Sequence, residues 1–257
     1  MLAAGSRRGP RRALGGGTCV AACLVLAMGA CGTGGANEVP KGTIVALVNA
    51  SAPPDDLISS QFCGGVVVGP DLVVTAAHCL TGRLPEQVVA VVGADNLCRT
   101  VPIEGERRPV LGISVSGERD VALLTIGPSS EGQAPAVADV EEVGDGESLL
   151  AFGWGPESVR GPTPCRVAEK QLREVPLSEC ASLIQPGMEA PEEAFFCAVG
   201  RPNSSNTCVG DSGGPVFDST TGGLVGVVLS GTGCLPTDPG LYARASTVPL
   251  PPAWTDD

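Results

Sequence analysis

The sequence predicts an all-β, loop-rich protein, a barrel or a sandwich rather than a helical fold. Three observations carry this. Of 257 residues, 36 are Gly and 23 are Pro, and breakers at nearly a quarter of positions leave no room for long helices. Short apolar, β-branched runs recur between turn residues, at positions 43–49, 65–68, 72–75, 87–92, 121–126, 148–152 and 224–229. Helical periodicity is nearly absent, with one short helix expected over 178–183. No internal repeat is visible.

Composition narrows the function classes. Hydrophobic residues make up 43% and charged residues 17%, which excludes a disordered acidic tail. Aromatics are 3%, so the core must be Val, Leu, Ala and Ile. Only Lys41 and Lys170 are lysines, a scarcity that reads as coding bias rather than function. From residue 31 onward 12 basic side chains face 28 acidic ones, a net of −16. Such a surface is soluble, and it repels nucleic acid and anionic membranes.

The N-terminal segment has a different character. Arg7, Arg8, Arg11 and Arg12 precede an uncharged run over residues 13–30. A basic stretch followed by an apolar one reads as a secretory signal. Met28-Gly29-Ala30-Cys31 resembles a bacterial lipobox, in which Cys31 is lipidated and tethers the chain to a membrane. Ordinary secretion and an uncleaved anchor are the alternatives, and all three place the body outside the cytoplasm. The expected organisation is a signal over 1–30, a linker over 31–41, and β units over 42–135 and 136–257. An acidic, Ala/Gly-rich connection over 129–147 separates the last two.

The cysteines agree with export. Cys19 and Cys23 fall inside the signal, leaving eight beyond Cys31: Cys63, Cys79, Cys98, Cys165, Cys180, Cys197, Cys208 and Cys234. An even number in an exported chain implies disulfides. A metal site is disfavoured, because there is no CxxC among the eight and only one histidine.

Three motifs carry chemistry: Thr75-Ala76-Ala77-His78-Cys79, Asp120-Val121-Ala122-Leu123-Leu124 and Gly210-Asp211-Ser212-Gly213-Gly214-Pro215. A serine hydroxyl needs a base to take its proton before it can attack a carbonyl. Histidine is the side chain that serves at neutral pH without large tuning. Its other ring nitrogen needs a carboxylate to fix the tautomer. The motifs supply one of each. Gly210–Gly214 also fits the nucleophile elbow of α/β-hydrolases, but there the histidine follows the serine, and no histidine follows position 78. A subtilisin-type order could use Asp55, Asp56 or Asp71, but that fold needs many helices.

On these motifs, with Gly153-Trp154-Gly155, Phe62-Cys63-Gly64-Gly65 and Pro239-Gly240-Leu241-Tyr242, the chain resembles the chymotrypsin/trypsin-type serine endopeptidases over roughly residues 40–245. The resemblance implies two packed six-stranded antiparallel β-barrels with the active site in the cleft between them. It implies His78 as general base and then acid, Asp120 as its orienter and Ser212 as nucleophile. The N–H groups of Gly210 and Ser212 would form an oxyanion hole. Activity should rise with pH as the imidazole becomes neutral. The resemblance also implies disulfides Cys63–Cys79, Cys180–Cys197 and Cys208–Cys234, which leaves Cys98 to pair with Cys165, a bridge unusual in the family. Asn206 matches the base of the primary specificity pocket, and Gly231 and Gly240 its walls. A neutral amide at the floor implies a neutral P1 residue. Asp238 reads as a solvated loop acid.

Four departures accompany the resemblance. No Ile-Val-Gly-Gly start precedes the body, and Gly32-Thr33-Gly34-Gly35 is the nearest echo. In the family a freed Ile amino group pairs with the acid matched by Asp211, so its neutralisation here is open; a lipidated Cys31 could not supply it, and a cut before Ile44 is the alternative, with a short N-terminal lead. Leu229 replaces a serine beside the catalytic acid, and Ser230 replaces a tryptophan of the substrate strand. Prolines 249, 251 and 252 exclude the family's terminal helix. Ala94 stands where a calcium ligand is expected. No cofactor or metal is expected. The chain is expected to act as a monomer on a peptide or protein substrate, with no nucleic acid. The sequons at Asn49 and Asn203 carry little weight. The competing class is a weak or inactive binding protein on the protease fold.

Overall fold

The computed structural model describes residues 40–98, 105–116, 119–129, 141–143, 146, 148–184 and 191–249. The signal, Cys31, most of the linker and the expected boundary near residue 135 lie outside the described residues.

Strands β1 (Ile44–Asn49), β2 (Gln61–Gly69), β3 (Leu72–Ala76), β4 (Val88–Val92), β5 (Glu106–Ser116) and β6 (Val121–Ile126) close into one antiparallel barrel, in the order β1-β2-β3-β6-β5-β4. Strands β7 (Leu149–Gly153), β8 (Ala168–Val175), β9 (Phe195–Gly200), β10 (Pro215–Asp218), β11 (Leu224–Gly231) and β12 (Gly240–Arg244) close the second, in the order β7-β8-β9-β12-β11-β10. The second barrel repeats the path of the first strand for strand, a duplication of topology that the residues do not display. Closure leaves no free sheet edge in either barrel.

The apolar runs read from the sequence fall on β1, β2, β3, β4, β6, β7 and β11. The other strands lack that signal. β5 opens with Glu106, Arg107, Arg108 and Pro109, and β8 (AEKQLREV) is mostly charged or polar, with Lys170 on its buried face. The expected helix near 178–183 is a 3-10 helix, Leu177–Leu183. The first barrel is filled by Val, Leu, Ala and Ile, as the scarcity of aromatics requires. The second also uses the edge-to-face pair Phe152/Phe217 and the stacked pair Phe196/Tyr242.

Four disulfides form in the expected pairing: Cys63–Cys79, Cys98–Cys165, Cys180–Cys197 and Cys208–Cys234. Cys98–Cys165 ties the segment after β4 to the segment before β8. The strip beside it is stitched as well. Leu97 N–H donates to the Cys165 carbonyl at 2.9 Å, Val167 N–H to the Asp95 carbonyl at 2.7 Å, and Arg166 pairs with Asp95. One crosslink and one short antiparallel bridge thus hold the two barrels together on that side.

Candidate active site

Strand pairing brings the first two motif residues together. Ala76, the last residue of β3, lies opposite Val121, the first of β6. His78 follows in the 3-10 turn Ala77–Leu80, and Asp120 immediately precedes β6. The imidazole Nδ1 lies 2.8 Å from Asp120 Oδ2, and the backbone N–H of His78 donates to Oδ1 of the same carboxylate at 2.8 Å. A carboxylate only accepts, so the shared proton belongs to Nδ1, and Nε2 of a neutral ring presents its lone pair. The Asp120 carbonyl also accepts from Ala77 N–H at 2.9 Å. These bonds hold Asp120 at φ 50°, a left-handed backbone that side chains rarely adopt.

Ser212 comes from the other barrel, on the loop between Cys208 and β10. Its carbonyl accepts from Gly64 N–H at 2.7 Å, which fastens this loop to β2. Gly213 has φ 80°, and a Cβ there would collide with Thr75 Oγ1 and the Gly64 carbonyl. Only glycine permits so close an approach of the two barrels. The Ser212 hydroxyl donates to the Leu229 carbonyl at 3.3 Å rather than to His78. A register shift between Val228 and Ser230 sets Leu229 apart from the regular β11–β12 pairing. Among the described residues, the N–H groups of Gly210 and Ser212 have no protein acceptor. Gly210, at φ 97°, is held by Gln61 Nε2 donating to its carbonyl at 2.8 Å.

His78, Asp120 and Ser212 line one cavity of about 590 Å³. Its other walls are mostly apolar, including Val228, Leu229, Gly231 and Leu241, and the exposed Val159 and Val209 stand at its rim.

The sequence model of the Trypsin family matches residues 33–249. The chain belongs to the trypsin family. It is 31% identical over 194 residues to a trypsin of Saccharopolyspora erythraea, covering 72% of this chain and 82% of that one. It is 30% identical over 211 residues to a vitellin-degrading protease of Bombyx mori, covering 77% and 76%. The VesB protease of Vibrio cholerae superposes with a TM-score of 0.64 at 25% identity, over 80% of this chain and 61% of that one. This trypsin-family chain is accordingly a serine endopeptidase, a hydrolase that acts on peptide or protein substrates.

Within the trypsin-family site, the residues matched to specificity are placed unequally. Gly231 lines the cavity. Asn206 does not, and its side chain is spent inside the barrel. Its Nδ2 donates to the carbonyls of Ala198 and Asp238, and its Oδ1 accepts from Tyr242 OH at 2.7 Å and Thr207 N–H at 2.7 Å. Gly240 lies behind it, where a Cβ would strike the Tyr242 hydroxyl. Asp238 accepts from Leu235 N–H at 2.9 Å, closing its own loop. Burial pushes the Tyr242 phenol above its ordinary pKa, a bond with Thr207 opposes this, and the Asp211 charge adds to it.

One residue escaped the sequence reading. Lys170 Nζ lies 2.8 Å from Asp211 Oδ2, and both side chains are 1% exposed. Its scarcity, read as coding bias, conceals a buried ion pair next to Ser212. The available signal was alternation along β8, where Lys170 shares the inward face with Leu172 while Glu169 and Gln171 point outward.

Proposed function

We propose that this endopeptidase is exported and cleaves peptide bonds through His78, Asp120 and Ser212. The observation that carries the reading is the bond of His78 Nδ1 to Asp120 Oδ2, with Ser212 on the wall of the same cavity. Rotation about the Ser212 Cα–Cβ bond takes the hydroxyl from the Leu229 carbonyl to His78 Nε2. The imidazole accepts the proton as Oγ attacks the substrate carbonyl, and Asp120 stabilises the imidazolium. The oxyanion is received by the N–H groups of Gly210 and Ser212. His78 returns the proton to the leaving amine, and water then releases the acyl group from Ser212 by the reverse proton path.

We assign a neutral, apolar P1 residue to the cavity. Its walls are largely apolar, and the amide of Asn206 is fully engaged elsewhere. Among the described residues that line the cavity the one acid is Asp120, whose carboxylate is engaged by His78, so no free negative charge awaits a cation. Four disulfides support a compartment outside the cytoplasm. Among the described residues no helix is long and apolar enough to cross a membrane. We propose further that Cys31 carries a lipid; the mass of the exported chain distinguishes this from free secretion.

The engagement of Ser212 with Leu229 favours a second reading, a slow enzyme or a binding protein. An organophosphate separates the two, because only an activated serine takes it up. We expect stoichiometric labelling at Ser212, and a fall in turnover of about a million-fold in Ser212→Ala. An unlabelled protein, or a variant with the parent rate, refutes the proposal.

A further inference from the structure

Asp211 immediately precedes Ser212, and its buried carboxylate organises the loop around it. Oδ1 accepts from Gly155 N–H at 2.7 Å, and Oδ2 from Cys208 N–H at 2.7 Å. Oδ2 also receives Lys170 Nζ, which donates in addition to the Gly155 carbonyl at 3.1 Å. Gly153 and Gly155 leave room for this arrangement, since a Cβ on either would collide with the carboxylate oxygens. The main chain of Asp211 closes the same loop, its N–H on the Cys208 carbonyl at 3.0 Å and its carbonyl on Gly214 N–H at 2.8 Å. The left-handed turn at Gly210 and the position of Ser212 therefore depend on one carboxylate remaining inside the barrel.

A buried carboxylate stays buried only with a counter-charge, because leaving it unpaired costs several kcal/mol. A loop whose acid escaped to water would carry Gly210 and Ser212 with it. In the mechanism that the resemblance implies, the counter-charge is an amino group created by cutting the chain. Here the ammonium belongs to β8 and is in place as soon as the second barrel closes. Three observations agree on this: the 2.8 Å contact, the near-complete burial of both partners, and the absence of an Ile-Val-Gly-Gly run in the sequence, whose Ile44-Val45 pair is built into β1.

We infer that Lys170 is a positioning residue that locks the Gly210–Ser212 loop from inside the second barrel, so that activity requires no newly cut amino terminus. The inference rests on the peptidase reading above and adds its regulation: the chain is competent on folding and is not awaiting an activating protease.

The test labels the full chain with diisopropyl fluorophosphate and weighs it intact, so that label and amino terminus are read on one molecule. Label is expected whatever the terminus, including chains extended before residue 40 and chains with an acetylated amino group. Label confined to chains cut to a new terminus overturns the inference and leaves the peptidase reading standing. Refusal of label by chains of every length overturns the peptidase reading, and the inference with it. In a second arm, Lys170→Met keeps the buried bulk and removes the charge. Its kcat/KM is expected to fall about 100-fold, mostly in kcat, while cooperative unfolding is retained. Added ethylammonium is expected to restore part of the activity to Lys170→Ala, and equal sodium is not. Parent kcat/KM in Lys170→Met, or equal restoration by sodium, overturns the inference. Should Lys170→Met fail to fold, the mass of the labelled chain decides alone.

Discussion

Asp120 grips His78 with both carboxylate oxygens, Oδ1 on the backbone N–H and Oδ2 on Nδ1, each at 2.8 Å. One oxygen fixes where the residue sits and the other fixes which ring nitrogen carries the proton. Among the described residues, no third donor reaches this carboxylate. Leu229 stands where the family has a serine, and it contributes its carbonyl to Ser212 instead.

This double contact predicts the result of Asp120→Asn. The amide retains one acceptor, but its NH₂ favours the tautomer with the proton on Nε2, which cannot take one from Ser212. We expect kcat to fall about ten-thousand-fold with the fold intact. Steady-state kinetics beside circular dichroism measures it, and a fall under tenfold contradicts the assignment.

Asn206 is the position at which an acid would be introduced to seek Arg or Lys specificity. The geometry predicts that Asn206→Asp fails to give it. The new carboxylate would face the carbonyls of Ala198 and Asp238, which Nδ2 now serves, in a site 1% exposed. A loss of at least about 3 kcal/mol is expected, without a switch to cationic P1 residues. Denaturant unfolding and a peptide-library profile test this together, and a stable variant that cleaves after Arg refutes it.

Tyr242 sets an alkaline limit. Burial raises its pKa in the folded chain, so the native state holds the phenolic proton more tightly than the unfolded state does. That contribution to stability is complete below the ordinary tyrosine value of about 10 and is lost progressively above it, as pH climbs toward the raised value of the folded chain. Tyr242→Phe is expected to cost about 1 kcal/mol near neutrality, through the lost bond to Asn206. It should also flatten the loss of stability above pH of about 10. Denaturation midpoints across that range decide, and parallel curves for parent and variant contradict the prediction.

The crosslink between barrels is predicted to act on stability alone. Cys98 and Cys165 are 67 residues apart, and neither lines the cavity that holds His78 and Ser212. Replacing both by Ala should cost about 4 kcal/mol by freeing the unfolded chain. Below the melting point kcat/KM should be unchanged, and a tenfold loss there would make the bridge part of the site.

Much of the fold was legible because an apolar β-branched run has few places to go other than a barrel wall. The runs at 72–75 and 121–126 were visible, and their pairing carries His78 and Asp120 to neighbouring strand ends. β8 was not visible, because Lys170 on its inward face breaks the hydrophobic alternation that would have marked it. The pairing of Asn206 with Tyr242 was equally hidden, since a floor position is the same letter whether its amide faces the cavity or the barrel.

By itself the sequence determined the order His78, Asp120, Ser212, the glycines that allow the Ser212 loop its turns, and the cysteines available for pairing. These are local matters, since each motif states its chemistry in five or six consecutive residues. Only the tertiary structure decided which buried charges meet. An ion pair such as Lys170–Asp211 joins residues 41 apart whose attraction becomes decisive once the barrel has removed the water between them.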